Sequence, residues 1–154
     1  MLVRARSREG PASDRIISTS QLSHLLTLPN SILVLDVRER SEFSVSRIPQ
    51  ALHVLPSVDV PTLARRLSPR LAGRTVVMYC TVGRRSADLA IFAEDELKRL
   101  GAREVFVLEG GIVAWHNERR PLIDSRGATE FLHPFNADAL SLIRRKNLTR
   151  LPSS

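Results

Sequence analysis

The chain is poor in cysteine, tryptophan and tyrosine, with one of each in 154 residues. A single cysteine excludes an intramolecular disulfide and fits a reducing compartment, so a cytoplasmic location is expected. No apolar run approaches the ~20 residues of a membrane-spanning helix. The four histidines, His24, His53, His116 and His133, are scattered without ligand spacing, which argues against zinc, and no cofactor is expected. His116 reads as a surface residue, with approach to a substrate as the alternative, and Trp115 beside it as a core anchor rather than a binding platform. Aromatic residues make up only 5% of the chain and nowhere alternate with basic ones, so no specific motif for nucleic acid is present.

The charge is lopsided, with 23 Lys+Arg against 16 Asp+Glu and a net +7. It is spread along the chain, and arginine far outnumbers lysine. Arg4, Arg6, Arg8 and Arg15 give the start the look of a targeting presequence. Glu9, Pro11, Asp14 and the lack of an apolar face argue against it, so 1–13 reads as a flexible, solvated segment. A chain of this length fits one domain that buries about 70% of its unfolded surface.

Short apolar runs at 16–17, 32–37, 52–55, 76–79 and 105–108 read as strands, and 20–27, 60–67, 86–100 and 111–117 as helices. Ser20 and Gly101 are the expected end signals. Such alternation predicts an α/β domain with a central parallel sheet of about five strands, covered by helices on both faces. Beyond it, 136–146 can form one amphipathic helix, with Ala139, Leu140 and Ile143 on the face expected to pack on the domain. The last few residues are expected to be disordered.

The lone Cys80 heads Cys80-Thr81-Val82-Gly83-Arg84-Arg85-Ser86, between a predicted strand and a predicted helix. A cysteine that ends an apolar strand is often a small core residue. The loop after this one has features such a residue does not need. Arg84 and Arg85 are permanent cations, the following helix turns its unpaired N–H groups toward the loop, and Gly83 permits the backbone curl of an anion nest. All three favour the thiolate, the species that attacks. Asp36 ends another apolar strand, where open α/β sheets carry loop-supporting or catalytic residues. Asp36 and Arg38 read as supports that orient the pocket, and Glu42 as a solvated helix residue.

The Cys80 loop resembles the active-site loop of the rhodanese-like sulfurtransferases, Cys-x-x-Gly-x-Arg-Ser. Leu33-Val34-Leu35-Asp36-Val37-Arg38 with Glu42-Phe43 and Ile48-Pro49-Gln50-Ala51 is similar to the family's first signature, and Leu108-Glu109-Gly110-Gly111 with Trp115 to its closing one. The resemblance spans about residues 14–122, leaving 123–154 as a C-terminal extension with one helix. Ser46-Arg47 and Gln50 depart from the usual Gly-His and Gly, which bears on local turn geometry. The segment 86–100 is about four residues longer than the family's, roughly one helical turn of ~3.6 residues.

The resemblance implies a three-layer rhodanese-like fold and a sulfurtransferase that carries sulfane sulfur as a Cys80 persulfide, from a small anionic donor such as thiosulfate to cyanide or a thiol, including a protein acceptor. Thr81, Val82, Gly83, Arg84, Arg85 and Ser86 would bind the donor, Arg85 foremost. Two loop arginines suit doubly charged thiosulfate better than mercaptopyruvate. Phosphatases and arsenate reductases of related fold use a loop one residue longer. Here the sixth loop residue is Arg85 and the seventh is Ser86, which disfavours them. A binding or persulfide-carrier module is the rival reading, and the oligomeric state stays open.

Overall fold

The computed structural model describes residues 15–152. The expected flexible segment 1–13 and the end of the expected disordered tail lie outside them. Five short strands, β1 (Ile16–Ile17), β2 (Ile32–Asp36), β3 (Leu52–His53), β4 (Thr75–Tyr79) and β5 (Glu104–Leu108), pair in the order β1-β5-β4-β2-β3. Every pair is parallel. All carboxyl ends therefore share one edge, and the loops that follow β2, β4 and β5 meet there.

All five β2 residues are buried, as expected of a parallel strand covered on both faces. Leu33, Leu35 and Val37 join Val76 and Met78 in one apolar cluster, with α3 (Val60–Leu71) and α4 (Arg84–Arg99) packed over them. Ile32 and Val34 join Val77 and Tyr79 in the other, under α1 (Thr19–Leu25) and α5 (Gly111–Asn117). The alternation of side chains along a strand thus divides one sheet between two helical layers. Helix α2 (Arg40–Val45) follows β2.

Helix ends match local chemistry, with one correction. The cap of α1 is Ser18, not Ser20; its hydroxyl accepts from the Gln21 N–H and the Gln21 side chain accepts from the Ser18 N–H. Gly101, at φ 116°, follows α4, and the Ala102 N–H reaches back to the Leu97 carbonyl at 3.0 Å.

The C-terminal part contains a hairpin that periodicity did not anticipate, β6 (Leu122–Asp124) with β7 (Gly127–Thr129), turned by Asp124 accepting from the Arg126 and Gly127 N–H groups. The expected helix over 136–146 is shorter: α6 spans Ala137–Leu142, and a 3-10 turn covers Lys146–Leu148. Asn117 takes both sides of the break, donating to the Leu142 carbonyl and accepting from the Arg144 N–H. Those bonds leave Ile143 extended and let its side chain enter the core, where it is fully buried. Trp115, 1% exposed, donates its indole N–H to the Pro121 carbonyl at 2.7 Å, as a core anchor should. Among the described residues no helix is long and apolar enough to cross a membrane.

A fully buried polar group closes the carboxyl edge. Arg38 donates to both Asp36 oxygens at 2.9 and 2.7 Å and to the Ser46 carbonyl at 2.7 Å, while the Tyr79 hydroxyl donates to Asp36. Burial, reinforced by the Asp36 charge, holds the Tyr79 hydroxyl well above the ordinary phenol range. Asp36→Ala leaves the Arg38 guanidinium buried without its counter-charge and is expected to cost about 3–5 kcal/mol. Urea unfolding measures this, and adding Arg38→Met should recover part of the loss.

Candidate active site

Cys80 follows β4 directly and Gly83 caps α4 in the left-handed region at φ 112°. This bend turns the loop back over its own sulfur. The Gly83 N–H points at Cys80 Sγ from 3.1 Å, and the Ser86 N–H and hydroxyl approach it at 3.4 Å each. Two backbone donors converging on one sulfur suit an anion there, and the Ser86 hydroxyl shares its one hydrogen between that sulfur and the Gly83 carbonyl at 3.1 Å. Cys80 is only 1% exposed, yet it lines a cavity of about 300 Å³.

The loop is fixed from behind by α5. The Ile112 and Val113 N–H groups donate to the Cys80 and Thr81 carbonyls at 2.9 and 3.1 Å. Such close approach requires glycine before them. A Cβ on Gly111, which sits at φ 61°, would lie 2.4 Å from the Thr81 carbonyl oxygen.

Arg85 does not face the cavity as a free cation. It donates to both oxygens of Glu42 at 2.7 and 3.0 Å and to the Thr81 hydroxyl, which itself donates to Glu42 at 2.8 Å. Glu42, expected to be solvated, is instead 1% exposed. Burial opposes its charge, but the Arg85 hydrogen bonds and charge, with the Thr81 hydroxyl and the Glu39 N–H, outweigh that and hold the carboxyl below the usual range. Arg84 is exposed and makes no ion pair among the described residues. Asp36 and Arg38 lie below this layer, bound to each other and to the loop at Ser46.

The extension supplies the far wall. The Phe135 ring centroid lies 4.0 Å from the Arg85 guanidinium carbon, and Phe135, Asn136, Asp138, Ala139 and Leu142 line the cavity opposite Thr81 and Val82. His133 Nδ1 accepts from the Phe135 N–H at 3.0 Å. Burial lowers the His133 pKa, with Glu42 opposing and Arg38 and Arg85 assisting, which puts this imidazole close to the ion pair. His116, expected at the surface, is fully buried with Nε2 at 2.8 Å from the Glu130 carbonyl, and Arg145 donates to the His116 carbonyl at 2.6 Å. Gln50 takes φ 72° where the family usually has glycine, with its side chain donating to the Leu26 carbonyl at 3.1 Å.

The Rhodanese-like domain model matches residues 18–118. The chain belongs to the rhodanese-like family. A sulfurtransferase of Allochromatium vinosum is 32% identical over 111 residues, 72% of this chain and 96% of that protein. A putative sulfurtransferase of Bacillus subtilis is 30% identical over 105 residues, 68% and 93% respectively. A thiosulfate sulfurtransferase structure from Pseudomonas aeruginosa aligns with a TM-score of 0.58 at 21% identity, covering 94% of this chain and 25% of that one, a likeness of fold.

Two parts of this rhodanese-like site escaped sequence reasoning. Glu42 lies in the Glu42-Phe43 signature, so its place there was the available signal for a buried partner of the loop arginine. The wall from 135 to 142 carried no signal, because it lies past the matched residues and its apolar positions read as an ordinary packing face.

Glu42→Gln should cost about 2–3 kcal/mol by leaving Arg85 half-buried without its charge partner. Because the folded carboxyl lies below its unfolded value of ~4.3, the unfolded chain takes the proton first as pH falls. The stability Glu42 contributes is complete above that value and is lost as pH falls through the folded pKa. The gap between wild type and Glu42→Gln in urea midpoints should therefore narrow below pH ~4.3. Gly111→Ala should displace the Cys80 loop, seen as an altered alkylation rate of Cys80 in protein whose circular dichroism still reports the fold.

Proposed function

We propose that the protein is a sulfurtransferase that moves sulfane sulfur from a small anionic donor, thiosulfate being the simplest, to a thiophilic acceptor, cyanide or a thiol, through a persulfide on Cys80. The convergence of the Gly83 and Ser86 donors on Cys80 Sγ at the floor of a cavity carries this reading. Membership of the rhodanese-like family and relatives named as sulfurtransferases support it.

In the first step the Cys80 thiolate attacks the outer sulfur of thiosulfate. The Sγ–S bond forms, the donor's S–S bond breaks, and its electron pair leaves with sulfite. The negative charge then sits on the terminal persulfide sulfur, beside the N–H groups of the loop. Such donors stabilise an anion without reorganising as the charge moves. In the second step the acceptor attacks that terminal sulfur and returns Cys80 to the thiolate.

The loop residues take different parts. Thr81, Val82, Gly83 and Ser86 shape the floor, and Arg84 meets the donor's charge from the mouth. Arg85 contributes a cation whose place is fixed by Glu42. Asp36 and Arg38 keep the loops that carry these groups in position. With no oxidation or reduction beyond the sulfur exchange itself, the cycle needs no cofactor, and a reducing, cytoplasmic setting suits a thiolate left free between turnovers.

Intact mass after thiosulfate should rise by one sulfur, ~32 Da, fall back on adding cyanide, and stay unchanged in Cys80→Ser. A folded protein with a reactive thiol and no adduct from any sulfane donor would overturn the reading.

A further inference from the structure

The cavity above Cys80 is larger and more apolar than an inorganic donor requires. Its volume of about 300 Å³ falls at the lower end of clefts that hold organic ligands, about 300–1,000 Å³. Among the described residues seven large apolar side chains are exposed, and three of them, Val82 at 39%, Phe135 at 41% and Leu142 at 57%, line this one cavity. Scattered exposed apolar residues need no explanation, whereas a group gathered at a nucleophile does. Phe135 is held there against its backbone preference, at φ 70°, by the His133 hydrogen bond and the stack on Arg85.

Charge points the same way. The two loop arginines suggested a dianion, but the Arg85 charge is matched by Glu42, and Asp138 adds a carboxylate to the opposite wall. Arg84 is left as the cation without an ion-pair partner among the described residues that line the cavity. A second negative charge on the donor would face Asp138 across an apolar mouth.

Taking sulfur transfer at Cys80 as given, we propose that the donor is an organic sulfane-sulfur anion with a single charge, whose apolar body lies against Val82, Phe135 and Leu142. The transfer balances as before. The Cys80 Sγ–S bond forms, the bond from that sulfur to the donor's body breaks, and the electron pair leaves with the organic anion, without a proton.

Thiosulfonates test this because they vary the body at constant charge. The kcat/KM for persulfide formation is measured with methanethiosulfonate, p-toluenethiosulfonate and thiosulfate, and each ratio is divided by that for a small free thiol to remove intrinsic reactivity. The corrected tolyl-to-methyl ratio should be about tenfold or more in the wild type. It should fall severalfold in Leu142→Ser and in Phe135→Ala, and hold in Leu151→Ser, an exposed position that does not line the cavity. A corrected ratio near one in the wild type, or a ratio that neither variant moves, overturns the proposal while leaving sulfur transfer intact. Absence of a Cys80 persulfide with all three donors overturns both.

Discussion

A carboxylate taken out of water needs a cation and a full set of donors, and Glu42 has both. It gathers the Arg85 guanidinium, the Thr81 hydroxyl and the Glu39 N–H around a side chain that is 1% exposed. Those partners come from the loops after β2 and after β4, neighbouring strands of the sheet. Removing one member would strand a charge in a poorly hydrated place. The two loops are therefore positioned as a unit, and the stack of Phe135 on Arg85 extends that unit to the C-terminal part of the chain.

Under this ion pair lies a second one with a different task. Asp36, Arg38 and Tyr79 are fully buried where β2 and β4 end, and they tie the strand ends to Ser46 and to the Ile48 N–H. This lower layer sets the height at which Cys80 leaves the sheet. From the other side, the N–H groups that open α5 hold the Cys80 and Thr81 carbonyls at a distance only glycine at 111 allows. The sulfur is thus aimed by backbone contacts, whose geometry varies little, while charge is supplied by side chains. Motions that open the loop must break several hydrogen bonds together.

Strands and helices were legible because alternation and the 3.6-residue repeat both follow from which face is buried, and burial in a parallel sheet is nearly complete. The Cys80 loop was legible because a glycine and two arginines after a strand have a local meaning. Glu42 is not legible, for the opposite reason. A glutamate on a short helix reads as solvated unless its distant partner is known, and Arg85 lies 43 positions away. The helix expected over 136–146 failed on the same ground. Its local pattern is helical, but Asn117 offers side-chain bonds at the break, and burying Ile143 outweighs another turn. His116 carries no local signal of burial, since surface is the default for a histidine, and the return of the chain across α5 is what buries it.

The residues of the extension divide between the core under α5 and the wall of the cavity. Leu132 and Ile143 are fully buried in the cluster under α5, and the backbone of Leu132 bonds to Leu148 and Arg150, so the fold of this segment is secured away from the cavity. Phe135, Asp138 and Leu142 contribute little to that core, since they are exposed. Asp138 and Leu142, free of such duties, can vary without cost to the sheet, whereas Phe135 is tied to the Arg85–Glu42 pair by its stack. A site built this way rests its Cys80 loop on the shared fold, while the facing wall of the cavity lies past the 18–118 match. The apolar surface of that wall and its one carboxylate, Asp138, come from residues outside the sheet. Both can change while the geometry at sulfur stays fixed.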